Sequence, residues 1–169
     1  MNTKQSLILM CIGIAIVSIF IFLSFPKQVE IPHYHAGFLV YIDGQKQDYA
    51  DTQYMYLDSC TVIDKQKNHT METPDKVHLH NDVGDVAHVH DDTSTWALLF
   101  KNIEINFPPN EPLVGYKNGE KIDNLINMPI KPYDSVIFII GSEDGIDKTQ
   151  YVTQAHIQDV EGKSSVCNR

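Results

Sequence analysis

Residues 33–49 read HYHAGFLVYIDGQKQDY, and the two-residue period of this stretch decides the fold. Tyr34, Ala36, Phe38, Val40 and Ile42 fall on one face of an extended chain, while His33, His35, Gly37, Leu39 and Tyr41 fall on the other. Strict alternation of aromatic and branched residues predicts a strand whose first face packs on the core. Asp43-Gly44 suits a tight hairpin turn, so 45–49 is expected to return as a second strand.

Further along, three more elements announce themselves. Asp92, Thr93, Ser94 and Thr95 are all N-cap candidates, and Trp96, Leu99, Phe100 and Ile103 follow at helical spacing, which predicts a short amphipathic helix. Asn118-Gly119 marks a second hairpin turn after Leu113–Tyr116. SVIFII at 135–140 is a continuous apolar run, as expected of a strand buried on both faces. Tyr54 and Tyr56 fit a short strand, and 64–75 reads as a loop. Residues 144–169 read as a polar C-terminal tail with a helical stretch near 148–160, where His156 is expected as a solvated surface residue.

Six of the eight histidines stand in three His-x-His pairs: His33/His35, His78/His80 and His88/His90. In a strand, residues i and i+2 share a face at about 6.5–7 Å, so each pair can aim two imidazoles at one ion. The stretch 76–91, KVHLHNDVGDVAHVHD, is expected to form a hairpin. A two- or four-residue loop would put the two pairs on opposite faces. A three-residue loop at 82–84, with Gly84 left-handed as a bulge, puts all four imidazoles on one face and His78 opposite His88. The reverse side is then apolar: Val77, Leu79, Ala87 and Val89.

The rest of the composition sets the surroundings. Residues 6–25, SLILMCIGIAIVSIFIFLSF, are long and apolar enough for a transmembrane anchor. Lys4 precedes them, so the positive-inside rule keeps 1–5 cytoplasmic and places 27–169 outside the cytoplasmic membrane. A cleaved signal peptide is the alternative, but the run exceeds a usual h-region and no small-x-small pattern follows it. Lys4 is one of the 13 basic residues, which leaves 12 against 22 acidic ones in 27–169. So acidic a domain repels phosphate backbones and excludes nucleic acid as a partner. Cys60 and Cys167, facing an oxidising compartment, are candidates for a disulfide, with two unpaired thiols as the alternative. The absence of C-x-x-C removes thiol-disulfide catalysis.

VYIDGQ (40–45), STWALLFKNI (94–103), VGYKNGEKI (114–122) and IKPYDSVIFIIG (130–141) resemble, in order and kind, the β-grasp (ubiquitin-like) fold, more narrowly the sulfur-carrier proteins of thiamine and molybdopterin biosynthesis. The resemblance implies an α+β domain at 27–143: a β-grasp-like mixed sheet with one short helix and the His-rich hairpin inserted. Sulfur carriers end in Gly-Gly, whereas Gly141 here is followed by Ser142 and a tail, so carrier chemistry is not implied. HYHAGF, HLH, HVH and the Thr-Trp helix, behind an anchor, also resemble a set of uncharacterised bacterial membrane-anchored His-rich proteins, which implies no activity.

Chemically, His78, His80, His88 and His90 form the candidate metal site, for Zn, Cu or Ni, with Zn or Cu foremost. Asp91, Asp92 or Asp85 is expected to add an oxygen ligand or orient an imidazole. His33 and His35 join the site only if the hairpin folds back over their strand. Two other classes stand beside this reading: a non-catalytic interaction module with a pH-sensitive histidine patch, and a metal-dependent hydrolase. No Ser-His-Asp motif or phosphate-cradling glycine loop is present, and no catalytic residue is assigned. The sequence names no protein partner beyond the membrane.

Overall fold

The computed structural model describes residues 32–56 and 73–163. The expected transmembrane segment, Cys60 and Cys167 lie outside these residues. The fold is α+β, built on one seven-stranded mixed sheet.

The alternating stretch is strand β1 (Tyr34–Ile42). Its expected core face, Tyr34, Ala36, Phe38 and Val40, is buried in the larger hydrophobic cluster. Asp43 (φ 49°) and Gly44 (φ 78°) are both left-handed, the geometry that turns a two-residue hairpin without splaying its strands. The return strand β2 is only Gln45–Lys46, shorter than expected. One further bond, Gln47 N–H to Val40 O at 2.9 Å, follows before the chain leaves the sheet. Tyr54 lies in a 3-10 turn, Thr52–Tyr54, rather than in a strand, and Met55 then bridges Leu79.

A single helical turn, α1 (Thr73–Lys76), leads into the histidine hairpin, β3 (Val77–His78) and β4 (Val86–Val89). Helix α2 (Trp96–Asn102) starts where the sequence places it: the Thr95 hydroxyl accepts from Leu98 N–H at 3.2 Å. Its Trp96, Leu99 and Phe100, with Ile103 just beyond, are buried against the β1 core face. Strands β5 (Leu113–Lys117) and β6 (Glu120–Ile122) flank the Asn118-Gly119 turn, both residues again left-handed.

Strand β7 (Ser135–Ile140) runs between β1 and β5, parallel to the first and antiparallel to the second. Its apolar run is buried on both sides. Val136, Phe138 and Ile140 join the α2 side, and Ile137 and Ile139 join a second cluster on the opposite side. That second cluster is closed by helix α3 (Gln154–Lys163) through Ile157 and Val160. Part of the stretch read as a polar tail is therefore core-forming. The signal was thin because only two or three apolar residues of a polar helix carry it.

The strand order is β3-β4-β1-β7-β5-β6, with β2 also on β1. One edge of β1 is shared. Its first half (Tyr34–Gly37) pairs with β4, and its last residues (Tyr41, Ile42) pair with β2. The histidine hairpin extends the sheet beside β2 instead of folding over β1.

The hairpin loop differs from expectation. Left-handed backbone occurs at Asn81 (φ 59°) and Asp82 (φ 56°), not at Gly84. Asparagine and aspartate tolerate that conformation better than other side chains. Gly84 is needed for another reason: a Cβ there would overlap the backbone of Tyr49 and Ala50. Gly84→Ala is therefore expected to destabilise the fold by about 1–3 kcal/mol through overpacking against backbone that has little room to yield. Gly162→Ala, in α3 with open space around it, should add up to about 1 kcal/mol through helix propensity. Urea unfolding of the two variants checks both signs.

Candidate metal centre

Strand register brings the three histidine pairs to one face. His35 lies directly opposite His88 across β1 and β4, and His88 lies directly opposite His78 across β4 and β3. Because i and i+2 share a face, His33, His90 and His80 project to the same side as these three. The apolar reverse side, Val77, Leu79, Ala87 and Val89, packs into the α2 core as expected. His33 and His35 thus reach the cluster by edge-to-edge pairing of the hairpin with β1, a route the sequence reading did not consider.

His88 is at the centre. Its ring centroid lies 4.3 Å from that of His80, 4.5 Å from those of His35 and His90, 4.6 Å from His33 and 5.1 Å from His78. The other five surround it at 5.1–6.1 Å from neighbour to neighbour, in the order His33, His35, His80, His78, His90. His80 Nε2 faces His88 Nδ1. Tyr56 stacks near His78 at 4.8 Å.

This cluster is not a solvated face. His35, His78, His88 and His90 are each at most 2 % exposed. Among the described residues, both ring nitrogens of His35 and of His90, with Nε2 of His33 and of His88, are buried without a hydrogen-bond partner. A buried polar atom left unpaired costs about 1–3 kcal/mol, so a group of them in one place calls for a ligand. Two sets of three donor atoms lie within 4.8 Å of one another: His33, His35 and His88, and His78, His88 and His90. Nitrogens around a tetrahedral zinc stand about 3.3 Å apart, given metal–nitrogen bonds of about 2.0–2.1 Å. Side-chain rotation covers the difference. Either set could hold a metal ion.

The aspartates stand elsewhere. The Asp91 carboxylate pairs with Lys76 Nζ at 2.9 Å and accepts from Thr93 N–H at 2.8 Å, which holds it below the usual carboxylate range, the Thr93 side-chain bond being the largest cause. Asp85 pairs with Nε2 of His156 at 3.0 Å. Asp92 is exposed. His156 is on the surface, as expected. The candidate ligands among the described residues are imidazoles alone.

Comparison with family models, with curated proteins and with solved structures found no match. The site is read on its own chemistry.

Burial favours the neutral form of His35, His80, His88 and His90. His35 and His90 are pulled down to about 3, first by desolvation and then by neighbouring imidazoles. His88 and His80 are lowered for the same leading reason. In the unfolded chain they titrate near 6.5. Below that value the unfolded state binds more protons than the fold, so stability falls as pH falls. For chelator-treated protein, stability present above about pH 6.5 should decline toward pH 3. The slope should be about 1.4 kcal/mol per pH unit for each histidine held neutral. Urea midpoints that stay flat from pH 7 to pH 4 would contradict this account.

Proposed function

We propose that the chain is a membrane-anchored extracytoplasmic protein that binds a divalent transition metal, zinc or copper foremost, through its His-x-His pairs. One observation carries the reading: the buried imidazole cluster, in which two sets of three ring nitrogens stand at ligand-like spacing. All-nitrogen ligation suits zinc, copper and nickel, and the described ligand sets contain no thiolate that would select iron-sulfur clusters. The apolar run at 6–25 supports the anchor, and the single basic residue ahead of it supports a cytoplasmic N-terminus. The acidic composition of 27–169 attracts cations and repels nucleic acid. A β-grasp domain is supported by the sub-order β2-β1-β7-β5-β6, with β1 and β7 parallel and α2 between the two hairpins.

Burial speaks against a surface contact patch, since four of the six imidazoles are at most 2 % exposed. A set of three imidazoles leaves a fourth position on zinc open to water or an external ligand. Metal scavenging, buffering, sensing and structural stabilisation all use the same ligands, and the occupied state is the common requirement.

Purified full-length chain is expected to retain metal through gel filtration, with a His78→Ala/His88→Ala variant retaining markedly less. Elemental analysis of both reads the result. Equal metal content in the two chains would sink the proposed site.

A further inference from the structure

The arrangement of the donor atoms bears on how many ions the cluster takes. Six imidazoles around one ion would have to present their nitrogens as a single group. Among the described residues they do not: the ligand-like sets there are two, and His88 is the residue they share. The pairs that divide between them also belong to different strands. His35 lies in β1 with His33 just ahead of it, while His78 lies in β3 and His90 directly follows β4. His88 stands between them, opposite His35 on one side and opposite His78 on the other.

An imidazole has two nitrogens whose lone pairs diverge, so it cannot give both to one ion but can give one to each of two. On the reading that the cluster binds metal, we infer that it is a two-ion centre, with His33 and His35 holding one ion, His78 and His90 holding the other, and the His88 ring bridging them as imidazolate. His80, whose Nε2 faces His88 Nδ1, stands beside the bridge as an additional donor.

The bridge balances simply. Neutral His88 carries one N–H. Binding the second ion breaks that N–H bond, the proton passes to water, and the freed electron pair forms the second metal–nitrogen bond. No electron is transferred and no oxidant is needed. Charge favours the step as well. Neither ligand set includes a carboxylate, so two dications on neutral imidazoles would place four positive charges in a buried site. Removing the His88 proton lowers that by one charge where it is most repulsive, between the ions.

Copper is the probe that separates the outcomes. Full-length chain loaded with Cu(II) and freed of excess is expected to hold two ions per chain. Its spin signal should fall well below that of two independent Cu(II) ions, because one imidazolate couples them. His33→Ala/His35→Ala should drop the content from two ions to one and restore an ordinary uncoupled signal. This variant leaves buried His88 in place and so does not depend on the fold tolerating its loss. His88→Gln should abolish the coupling in whatever copper it keeps. One ion per chain in the wild type would overturn the two-ion centre while leaving metal binding intact. Two ions with full independent spin would overturn the bridge, and no copper at all would remove both readings.

Discussion

Strand β1 is hydrogen-bonded along both edges, and that double pairing is the constraint from which the rest of the structure follows. On one edge it lies parallel to β7 from Gly37 to Ile42; on the other it meets β4 with its first half and β2 with its last residues. A strand held this way has no freedom of register, because a slip of one residue would exchange its faces. Tyr34, Ala36, Phe38 and Val40 would leave the core, and His33 and His35 would enter it. The hydrophobic cluster under α2 and the histidine cluster on the reverse side are therefore specified by the same pairing.

The face that carries the histidines has two parts. Toward one end, Leu39, Val86, Ile137 and Ile139 are covered by α3. Toward the other stand the imidazoles. Gly37 is at the boundary, where a Cβ would meet Val152 and Ile157, so the absence of a side chain lets the apolar cover come close to the histidine cluster. The imidazoles crowd one another at 4.3–6.1 Å between ring centroids, which leaves their environment poor in water. That explains why burial heads the causes that keep His35, His88 and His90 neutral.

Much of this was legible in the sequence wherever one local rule spoke alone. The period of β1, a helix cap within 92–95, the two-faced burial of β7 and the Asp43-Gly44 and Asn118-Gly119 turns are short-range signals, and each appears where it was read. The common face of His78, His80, His88 and His90 was also legible, as was the pairing of His78 with His88. The reason offered for it was not right, since Asn81 and Asp82 take the left-handed conformations and Gly84 answers to a contact with Tyr49 and Ala50. That contact lies far away in sequence, and no local pattern encodes it. The same holds for His33 and His35, whose place depends on which edge of β1 the inserted hairpin chose. Asp91 illustrates the converse: its position beside His90 suggested metal chemistry, but the nearby Lys76 and Thr93 engage its carboxylate.

The pairing of β1 with β4 also has a kinetic meaning. His33 and His35 are separated from His88 by the β2 turn, the stretch that follows and the whole of β3, so their nitrogens meet only after β4 has docked on β1. An ion held by these three side chains would be a removable cross-link across that seam, captured late in folding and locking the hairpin to the central strand. Its departure would loosen one sheet edge while leaving β7, α2 and the core between them in place.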